Sequence, residues 1–311
     1  MKNVNQMKLS PDMHIENLID EMEKTKVLGA GRLSKATRLV SEILGDKRYT
    51  IFLTLAGPLV PGGLRSLIRF LIAKGYIHGI ISTGANVTHD LIESIGIKHK
   101  VGDSRASDII LKRSKINRIY DIYIEQKAFE KLEKKVHRIL EKIPEKARTQ
   151  IPSYELLWEI GKKINDQNSI LTTAENMKIP VICPCLQDSI LGLHLWTFSQ
   201  LKPLSLNPFS DLTKLTDMIF DANKVGVIIL GGGVPKHHIL IASTLRGGVD
   251  TAIQITLDRP EGGGLSGAPL EEAISWSKIK STDRIVNVIG DVTMIFPIIV
   301  LSAIRKIDRY S

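Results

Sequence analysis

Lys278 is the side chain of this sequence best suited to covalent chemistry on a carbonyl or imine carbon. It ends the segment SGAPLEEAISWSK, residues 266–278, which also carries Glu272 and Trp276. A lysine amine attacks carbon only when it is neutral, and burial against an aromatic side chain lowers the pKa of a lysine. Taken alone, the segment is also compatible with a solvated lysine at a helix C-terminus. The rest of the sequence favours the reactive lysine.

A run of three glycines, Gly231–Gly233, follows the predicted strand Val225–Leu230 and leads into VPKHH at the start of a predicted helix. Glycines at such a turn let backbone amides approach a ligand, and a helix N-terminus attracts anionic oxygen. A plain tight turn is the alternative for the glycines alone. His237 and His238 stand at the mouth of this turn, where a histidine can exchange protons near neutral pH, although either could simply be a partly exposed first-turn residue.

Other predicted strand ends carry residues that can hold a nucleotide. Thr83 and Gly84 follow the strand end Ile80–Ser82, Asp188 follows the strand Pro180–Cys183, and Asp291 follows Ile285–Ile289. Helix capping is an equally good explanation for Asp291, and capping is also the alternative for the Thr83 turn. Because several such turns occur in one chain, a shared dinucleotide crevice explains them economically. Adjacent histidines cannot share a helix face, so no metal site is predicted.

Short apolar runs alternate with amphipathic segments from Tyr49 onward, a pattern typical of a parallel sheet covered by helices on both faces. We therefore predict a doubly wound, mostly parallel, Rossmann-like α/β domain over residues 46–311, with a helical N-terminal extension over residues 1–45. Residues 99–117 show little periodicity and are predicted to be loop. The remaining predicted strands are Tyr49–Leu55, Ile77–Ser82, Arg118–Ile124 and Asp250–Ile255. The predicted helices are Gly62–Ala73, Thr88–Ile95, Lys127–Ile143, Ile190–Gln200, Lys236–Leu245 and Thr293–Ile307.

Length, composition, net charge and cysteine content indicate the class of protein. The 311 residues are 43% hydrophobic and 24% charged, the composition of a globular protein, and the formal net charge is +9. The densest charged stretch, 129–148, alternates Glu with Lys at helical spacing, so it predicts a solvated helix face rather than a nucleic-acid site. Cys183 and Cys185 match neither a disulfide framework nor a zinc site. Neither a signal peptide nor a membrane span is evident, so we expect a cytoplasmic protein without a membrane partner.

The order and spacing of GGGVPKHH, SGAPLEEAISWSK and a strand ending in Gly290-Asp291 resemble those of the deoxyhypusine synthase family. The segment STGANVTHD is similar to the archaeal and bacterial branch. The resemblance implies an NAD-dependent transfer of the 4-aminobutyl group of spermidine, held as an imine on an enzyme lysine, to a lysine of the precursor of translation initiation factor 5A. It also implies homotetramers whose active sites lie between paired subunits.

Transferred by motif, the family pattern assigns a role to several positions. Lys278 corresponds to the imine-forming lysine and His237 to the proton-transferring histidine, while Glu272 and Trp276 correspond to polyamine contacts. The residues implied to bind NAD are Thr83, Gly84, Asp188, Gly231, Gly232, Ser266 and Asp291.

The chain also departs from the eukaryotic pattern. Leu193 and Leu265 replace acidic polyamine contacts, Thr88 and His89 replace an acidic pair, and Ser277 replaces the usual glycine before the lysine. Loss of carboxylates weakens a site for a polycation unless other groups substitute for them. Two alternatives therefore stay open: a homospermidine synthase-like enzyme acting on a free amine such as putrescine, and an inactive NAD-binding subunit of a hetero-oligomer.

Overall fold

A computed structural model describes residues 3–310, so the outermost residues of the predicted segments 1–45 and 46–311 lie outside it. The chain folds into two compact units. The first comprises the described residues up to 55 and from 214 onward, and the second comprises residues 56–213. The boundary predicted after residue 45 stays a prediction.

The first unit contains the N-terminal helices and four strands of a parallel sheet. Its elements, in chain order, are α1 (Ile15–Thr25), α2 (Leu28–Gly45), β1 (Tyr49–Leu55), β7 (Lys224–Leu230), α12 (Gly233–Ser243), β8 (Thr251–Thr256), α13 (Glu272–Ser275), β9 (Ile285–Ile289) and α14 (Val292–Tyr310). Its strands adjoin in the order β1, β7, β8, β9, and each neighbouring pair is parallel.

The composition of these strands explains their position. The strands β7 (KVGVIIL) and β8 (TAIQIT) are apolar along most of their length and buried except for the first residue of β7. A strand with both faces covered reads as a continuous apolar run instead of an alternating one. The helices α2 and α14 pack on each other and contact the sheet, which covers its apolar side chains. The predicted doubly wound, mostly parallel α/β fold with helices at the N-terminus is confirmed.

The second unit is richer in helices. Its elements are α3 (Arg65–Ala73), β2 (Gly79–Ser82), α4 (Gly84–Ser94), β3 (Lys100–Val101), α5 (Asp108–Arg113), β4 (Ile116–Ile119), β5 (Ile122–Glu125), α6 (Lys127–Leu140), α7 (Glu145–Arg148), α8 (Ser153–Ile164), α9 (Ile170–Asn176), β6 (Val181–Ile182), α10 (Ile190–Ser199) and the first part of α11 (Pro208–Asp221). β2 and β6 pair in parallel.

Two predictions for this unit are wrong. The run Arg118–Ile124, predicted as one strand, is an antiparallel hairpin in which Ile119 pairs with Ile122 across a two-residue turn. Tyr120 in that turn adopts a positive φ of 52°, a conformation that its residue type does not signal. The stretch 99–117, predicted as loop, contains β3 and α5 and begins β4. None of the helices described between residues 3 and 310 is long and apolar enough to cross a membrane.

Candidate active site

Lys278 is placed by the end of a one-turn helix. The helix α13 is followed by Trp276, and then by Ser277 in a left-handed conformation with φ 55°. The backbone N–H of Ser277 donates to the carbonyl of Ile274, and the backbone N–H of Lys278 donates to the carbonyl of Ala273. Both hydrogen bonds are 2.9 Å long. These two bonds and the left-handed residue define a Schellman motif. Lys278 therefore lies just past a short helix.

The backbone of Lys278 is also held on its other side. Its carbonyl accepts a 3.0 Å hydrogen bond from the N–H of Val249, and the backbone N–H of Lys280 donates to the carbonyl of Val249 at 3.1 Å. Gly248 has φ 100°, and a Cβ at this position would lie 2.7 Å from the backbone nitrogen of Ile279. A glycine is therefore needed where the two backbones pass, and the main chain at Lys278 is fixed from both directions.

The side chain of Lys278 extends over an aromatic ring. Its Nζ lies 4.9 Å from the centre of the Trp276 ring, within the range of a cation–π contact when the amine is protonated. Lys278 is partly buried, whereas Trp276 is 68% exposed and Glu272 is exposed. The single chain thus supplies one wall of a site around the amine.

His237 lies on the second turn of α12 and is partly buried. Burial lowers the pKa of His237, and the positive charge of Lys278 lowers it further. His237 and Lys278 are therefore electrostatic neighbours, and the imidazole is kept neutral, the form that accepts a proton. Burial and His237 also lower the pKa of His238, whose buried Nε2 has no hydrogen-bond partner among the described residues.

The glycine run forms an open strand-to-helix turn. Gly231 and Gly233 have positive φ values of 75° and 58°, and no side chain caps the N-terminus of the helix that follows. A Cβ on Gly232 would collide with the Cα of Ser266, so this glycine lets the segment around Ser266 lie directly against the turn. Backbone N–H groups that no side chain caps, next to a turn made of glycines, can bind an anionic oxygen such as that of a phosphate. The structure thus brings Gly231, Gly232 and Ser266 together.

A buried polar pair that no sequence motif marks holds this arrangement together. Lys236 is 4% exposed, and its Nζ donates to Gln254 Oε1 at 2.8 Å and to the carbonyls of Leu265 and Ala268 at 3.0 and 2.6 Å. Gln254 Nε2 donates in turn to the carbonyls of Gly231 and Ser266, at 3.0 and 2.7 Å. The pair therefore connects the glycine turn to the segment 265–268. The sequence feature that points to this pair is a glutamine within the otherwise apolar strand TAIQIT.

The charge state of Lys236 matches these acceptors. Burial lowers the pKa of Lys236 to about 8, an effect that Glu272 opposes and Lys278 reinforces. This value is above 7, so at neutral pH the amine keeps its three protons, and each can meet one oxygen. The same charges show that Lys236, Glu272 and Lys278 share one electrostatic neighbourhood.

Asp291 acts as a helix cap. Its Oδ1 accepts hydrogen bonds from the backbone N–H of Thr293, at 2.8 Å, and from the Thr293 hydroxyl, directly before α14. This is the role left open for it by the sequence. A contact between Asp291 and a cofactor stays a prediction.

In the second unit, Thr83, Gly84 and Asp188 meet at one place. Thr83 precedes α4, and a Cβ on Gly84 would lie 2.6 Å from the Cβ of Ser189, so the segment carrying Asp188 packs closely on the helix N-terminus. Asn86 supports the turn by donating to Thr83 Oγ1 at 3.1 Å. Asp188 and Ser189 line a cavity of about 500 Å³ beside this turn.

The residues that depart from the eukaryotic pattern have different surroundings. Leu193 and Leu265 are 50% and 46% exposed. Thr88 is buried, and its hydroxyl donates to the carbonyl of Gly84 at 2.8 Å while accepting from the N–H of Leu191 at 3.2 Å. A carboxylate at position 88 would therefore have to replace two internal hydrogen bonds. His89 lines the cavity that contains Asp188.

Comparison with known proteins identifies the class. A family model described as deoxyhypusine synthase matches residues 17–303. A relative from Methanothermobacter thermautotrophicus named "Probable deoxyhypusine synthase" is 44% identical over 305 residues, which is 98% of this chain and 99% of the relative. A second, "Probable deoxyhypusine synthase 1" from Archaeoglobus fulgidus, is 41% identical over 92% of both chains.

Solved structures agree on the fold. A crystal structure of a candidate deoxyhypusine synthase from Entamoeba histolytica is similar with a TM-score of 0.68 over 97% of both chains, at 21% identity. A ternary complex of AgrE with ornithine and NAD+ is similar with a TM-score of 0.53, at 10% identity, over 89% of this chain and 34% of that one. These likenesses show the fold alone, and the matches in sequence are more specific. The chain belongs to the deoxyhypusine synthase family.

Proposed function

We propose that this protein is an NAD-dependent deoxyhypusine synthase. It would transfer the 4-aminobutyl group of spermidine to a specific lysine of the translation initiation factor 5A precursor. The observation that carries the proposal is the placement of Lys278. Its main chain is fixed by a Schellman motif and by Val249, and its amine lies over Trp276 beside a neutral His237. These features support imine chemistry at a positioned amine.

Each residue of the proposed site would have its own role in the reaction. Glu272 would bind a cationic amine of spermidine, and the Trp276 ring would pack on its methylene chain. His237 would accept the proton released when the amine of spermidine is oxidised to an imine. The amine of Lys278, after losing its proton, would then add to the imine carbon, 1,3-diaminopropane would leave, and the four-carbon fragment would remain as an imine on Lys278. The acceptor lysine would displace Lys278 from that carbon.

NAD, when bound, would supply the chemistry of taking up a hydride from spermidine and returning it to the final imine. The residues that would hold it fit a dinucleotide. The uncapped α12 N-terminus with Gly231 and Gly232 suits a phosphate, and an aspartate such as Asp188 suits ribose hydroxyls. Thr83, Gly84, Ser266 and Asp291 complete the proposed set.

Enclosure of this site would come from assembly. A hydride must be protected from water between the two halves of the reaction, yet Trp276 is 68% exposed in the single chain. This exposure supports the proposal of a homotetramer whose subunits cover each other's sites. Because the acceptor is a translation factor, the proposed reaction takes place in the cytoplasm.

Trapping of the covalent intermediate tests the proposal. The protein is incubated with NAD and spermidine and treated with borohydride, and the adduct is then located by mass spectrometry. We expect a butylamine adduct on Lys278, no adduct in Lys278→Arg, and a normal adduct in Lys280→Arg, in which the exposed lysine two residues away is changed. An adduct on any other residue, or normal transfer by Lys278→Arg, would refute the assignment.

The second candidate is aminobutyl transfer to a free amine, as in homospermidine synthases. The partly exposed Leu193 and Leu265 support it, because they stand where eukaryotic relatives have carboxylates for the polyamine. Labelled spermidine offered with either putrescine or the factor 5A precursor separates the two candidates. Transfer to the protein lysine supports deoxyhypusine synthesis, and label only in homospermidine supports the alternative.

A further inference from the structure

The helix α6 carries its basic residues in one stripe, although Glu and Lys alternate in its sequence. Four exposed cationic residues recur three or four positions apart, and we call them the basic stripe: Lys131, Lys134, Lys135 and Arg138. Residues at this spacing lie on one face of a helix. Two neighbouring acidic residues are engaged elsewhere, since Glu133 accepts from the Thr197 hydroxyl at 2.9 Å and Glu141 accepts from Lys202 at 2.7 Å. The acidic residues therefore do not neutralise the stripe.

The cations of the basic stripe have no ionic partner in the part of the chain that the structure describes. Between residues 3 and 310, none of the four makes an ion pair or a side-chain hydrogen bond. The pKa of Glu141 is lowered first by its hydrogen bond from Lys202 and only then by the charge of Arg138. Like charges three and four residues apart destabilise a helix. The stripe is thus unfavourable for folding unless a group outside the chain compensates it.

The basic stripe lines a groove of about 430 Å³. The rest of the lining comes from Ser94 and Ile95 at the C-terminal end of α4 and from Ile164, the last residue of α8. Ile95 and Ile164 are partly exposed, so the groove combines four cations with an apolar surface. No carboxylate of the described residues belongs to the lining.

The ends of α4 and α8 supply only part of the missing negative charge. A helix C-terminus is equivalent to about half a negative charge, so two of them offset about one of the four positive charges. The carbonyls of α4 are also partly occupied, because the N–H groups of Ile95 and Ile97 donate to those of Leu91 and Ile92 at 3.1 and 3.2 Å. The groove therefore keeps a net positive charge.

The spacing of the cations indicates the form of a complementary ligand. The stripe repeats once in each helical turn, about every 5.4 Å along the axis of α6. A second helix with a carboxylate in each turn has the same repeat, and apolar residues beside its carboxylates can cover Ile95 and Ile164. A nucleic acid fits less well, because no aromatic side chain from residues 3–310 lines the groove and could stack on bases.

We propose that this groove between α6, α4 and α8 is a docking site for an acidic, amphipathic helical segment of a partner protein. Carboxylates of that segment pair with the basic stripe, and its apolar residues pack on Ile95 and Ile164. None of the residues proposed to act in aminobutyl transfer lines the groove, so the inference is independent of the proposed function.

A synthetic peptide tests the docking site by fluorescence anisotropy. The probe is a labelled peptide of about 15 residues, long enough to form a helix, with glutamate in every turn of one face and leucine beside it. The comparison peptide has the same composition, with its glutamates distributed around the helix. We expect the patterned peptide to bind more tightly to the unchanged protein, and its affinity to fall as salt is added.

Two matched variants locate the binding. Lys134→Gln combined with Lys135→Gln should weaken binding of the patterned peptide about fivefold, the effect of losing two exposed ion pairs. The control combines Lys74→Gln with Lys112→Gln, which removes the same charge from two other exposed lysines at helix ends. The control should bind the peptide as the unchanged protein does. Equal weakening in both variants would show that net charge alone attracts the peptide, and the inference would fall.

Urea unfolding without peptide tests whether the stripe lacks partners within the chain. Glutamine has about the helix propensity of lysine, so the change at positions 134 and 135 mainly relieves repulsion and should raise the urea midpoint. The control at positions 74 and 112 should raise it less. A lowered midpoint at 134 and 135 would mean that these amines bind acceptors of the chain itself, which contradicts the inference.

The remaining outcomes are equally decisive. Equal affinity for the patterned and the comparison peptide would refute the docking of a helix, as would the absence of binding to either. Tighter binding of an oligouridine RNA, lost in the variant at Lys134 and Lys135, would assign the groove to nucleic acid instead. Formation of the Lys278 adduct requires no protein partner and should be normal in this variant, so each proposal can fail without the other.

Discussion

The backbone N–H of Lys278 donates to the carbonyl of Ala273 at 2.9 Å, and this bond closes the turn that contains Ser277 in its left-handed conformation. Through this bond, the end of a single helical turn fixes the position from which the Lys278 side chain extends. The orientation of the lysine thus depends on backbone geometry. Substitutions in this segment can therefore change the free energy of unfolding without changing the activity, or the reverse.

The left-handed conformation of Ser277 gives the first prediction. An L-residue in this region costs about 1–2 kcal/mol, and glycine avoids most of that cost while losing some unfolded-state entropy. Ser277→Gly should therefore raise the free energy of unfolding by about 0.5–1 kcal/mol. Ser275→Gly, the same change inside α13, should lower it by about 0.5 kcal/mol. Urea unfolding measures both variants. Equal shifts of the two would show that the Schellman geometry is not the cause.

The contact between Lys278 and Trp276 gives the second. A cation–π contact at an exposed site contributes about 0.5–1 kcal/mol. If Trp276 acts only through this contact, Trp276→Phe should reduce kcat/KM by less than about fivefold. Trp276→Leu, which also removes the aromatic wall, should reduce it further. Trp158, an aromatic residue of the second unit, provides the control Trp158→Phe, for which Lys278 adduct formation should be unaffected. Equal activity of Trp276→Leu and the unchanged enzyme would exclude the tryptophan from the site.

The pair Lys236 and Gln254 gives the third. Lys236→Met leaves Gln254 Oε1 and two carbonyls without their donor, and Gln254→Leu removes donors from Gly231 and Ser266. Each change should lower the free energy of unfolding by about 1–3 kcal/mol. Because the two side chains share one network, the double variant should lose less than the sum of the single losses, by at least about 0.5 kcal/mol. Additive losses would show that the residues act independently. The exposed Lys280 supplies the control Lys280→Met.

The influence of Lys278 on His237 gives the fourth. Burial and the Lys278 charge lower the pKa of His237 below its usual 6.5, so as pH falls the imidazole stays neutral to a lower pH than a free histidine does. Lys278→Met removes the positive charge, and the pKa of His237 should rise because protonation no longer meets repulsion. An NMR titration of the histidine signals measures this shift. Lys280→Met should leave it unchanged. A His237 pKa that does not move in Lys278→Met would place the two groups apart.

The sequence predicted the fold of the first unit well because its signals there are local. Strands such as β7 are long apolar runs, and the Gly231–Gly233 run marks a strand-to-helix turn by residue type alone. Tyr49–Leu55 and Ile285–Ile289 are observed with the predicted bounds. Lys278 stood out because it combines a tryptophan, a carboxylate and a helix end within a few residues.

What the sequence could not provide depends on contacts between distant residues. Gln254 and Lys236 are 18 positions apart, and only the fold brings one's oxygen to the other's amine. His99 lies in the stretch predicted as loop, so its pairing with His89 carried no local signal. The hairpin at Tyr120 was missed because Tyr120, which adopts the positive φ of the turn, is not a residue type that marks such turns. The helices α8 and α9 were not predicted as elements.

The double anchoring of the main chain at residue 278 also bears on how a fragment could travel between two substrates. With its peptide groups bonded to Ala273 and Val249, this residue can adjust only its own rotatable side-chain bonds. In the proposed transfer, the four-carbon side chain of Lys278 would turn about a fixed main chain and carry the fragment along a short arc, so donor and acceptor would have to occupy the same place in turn.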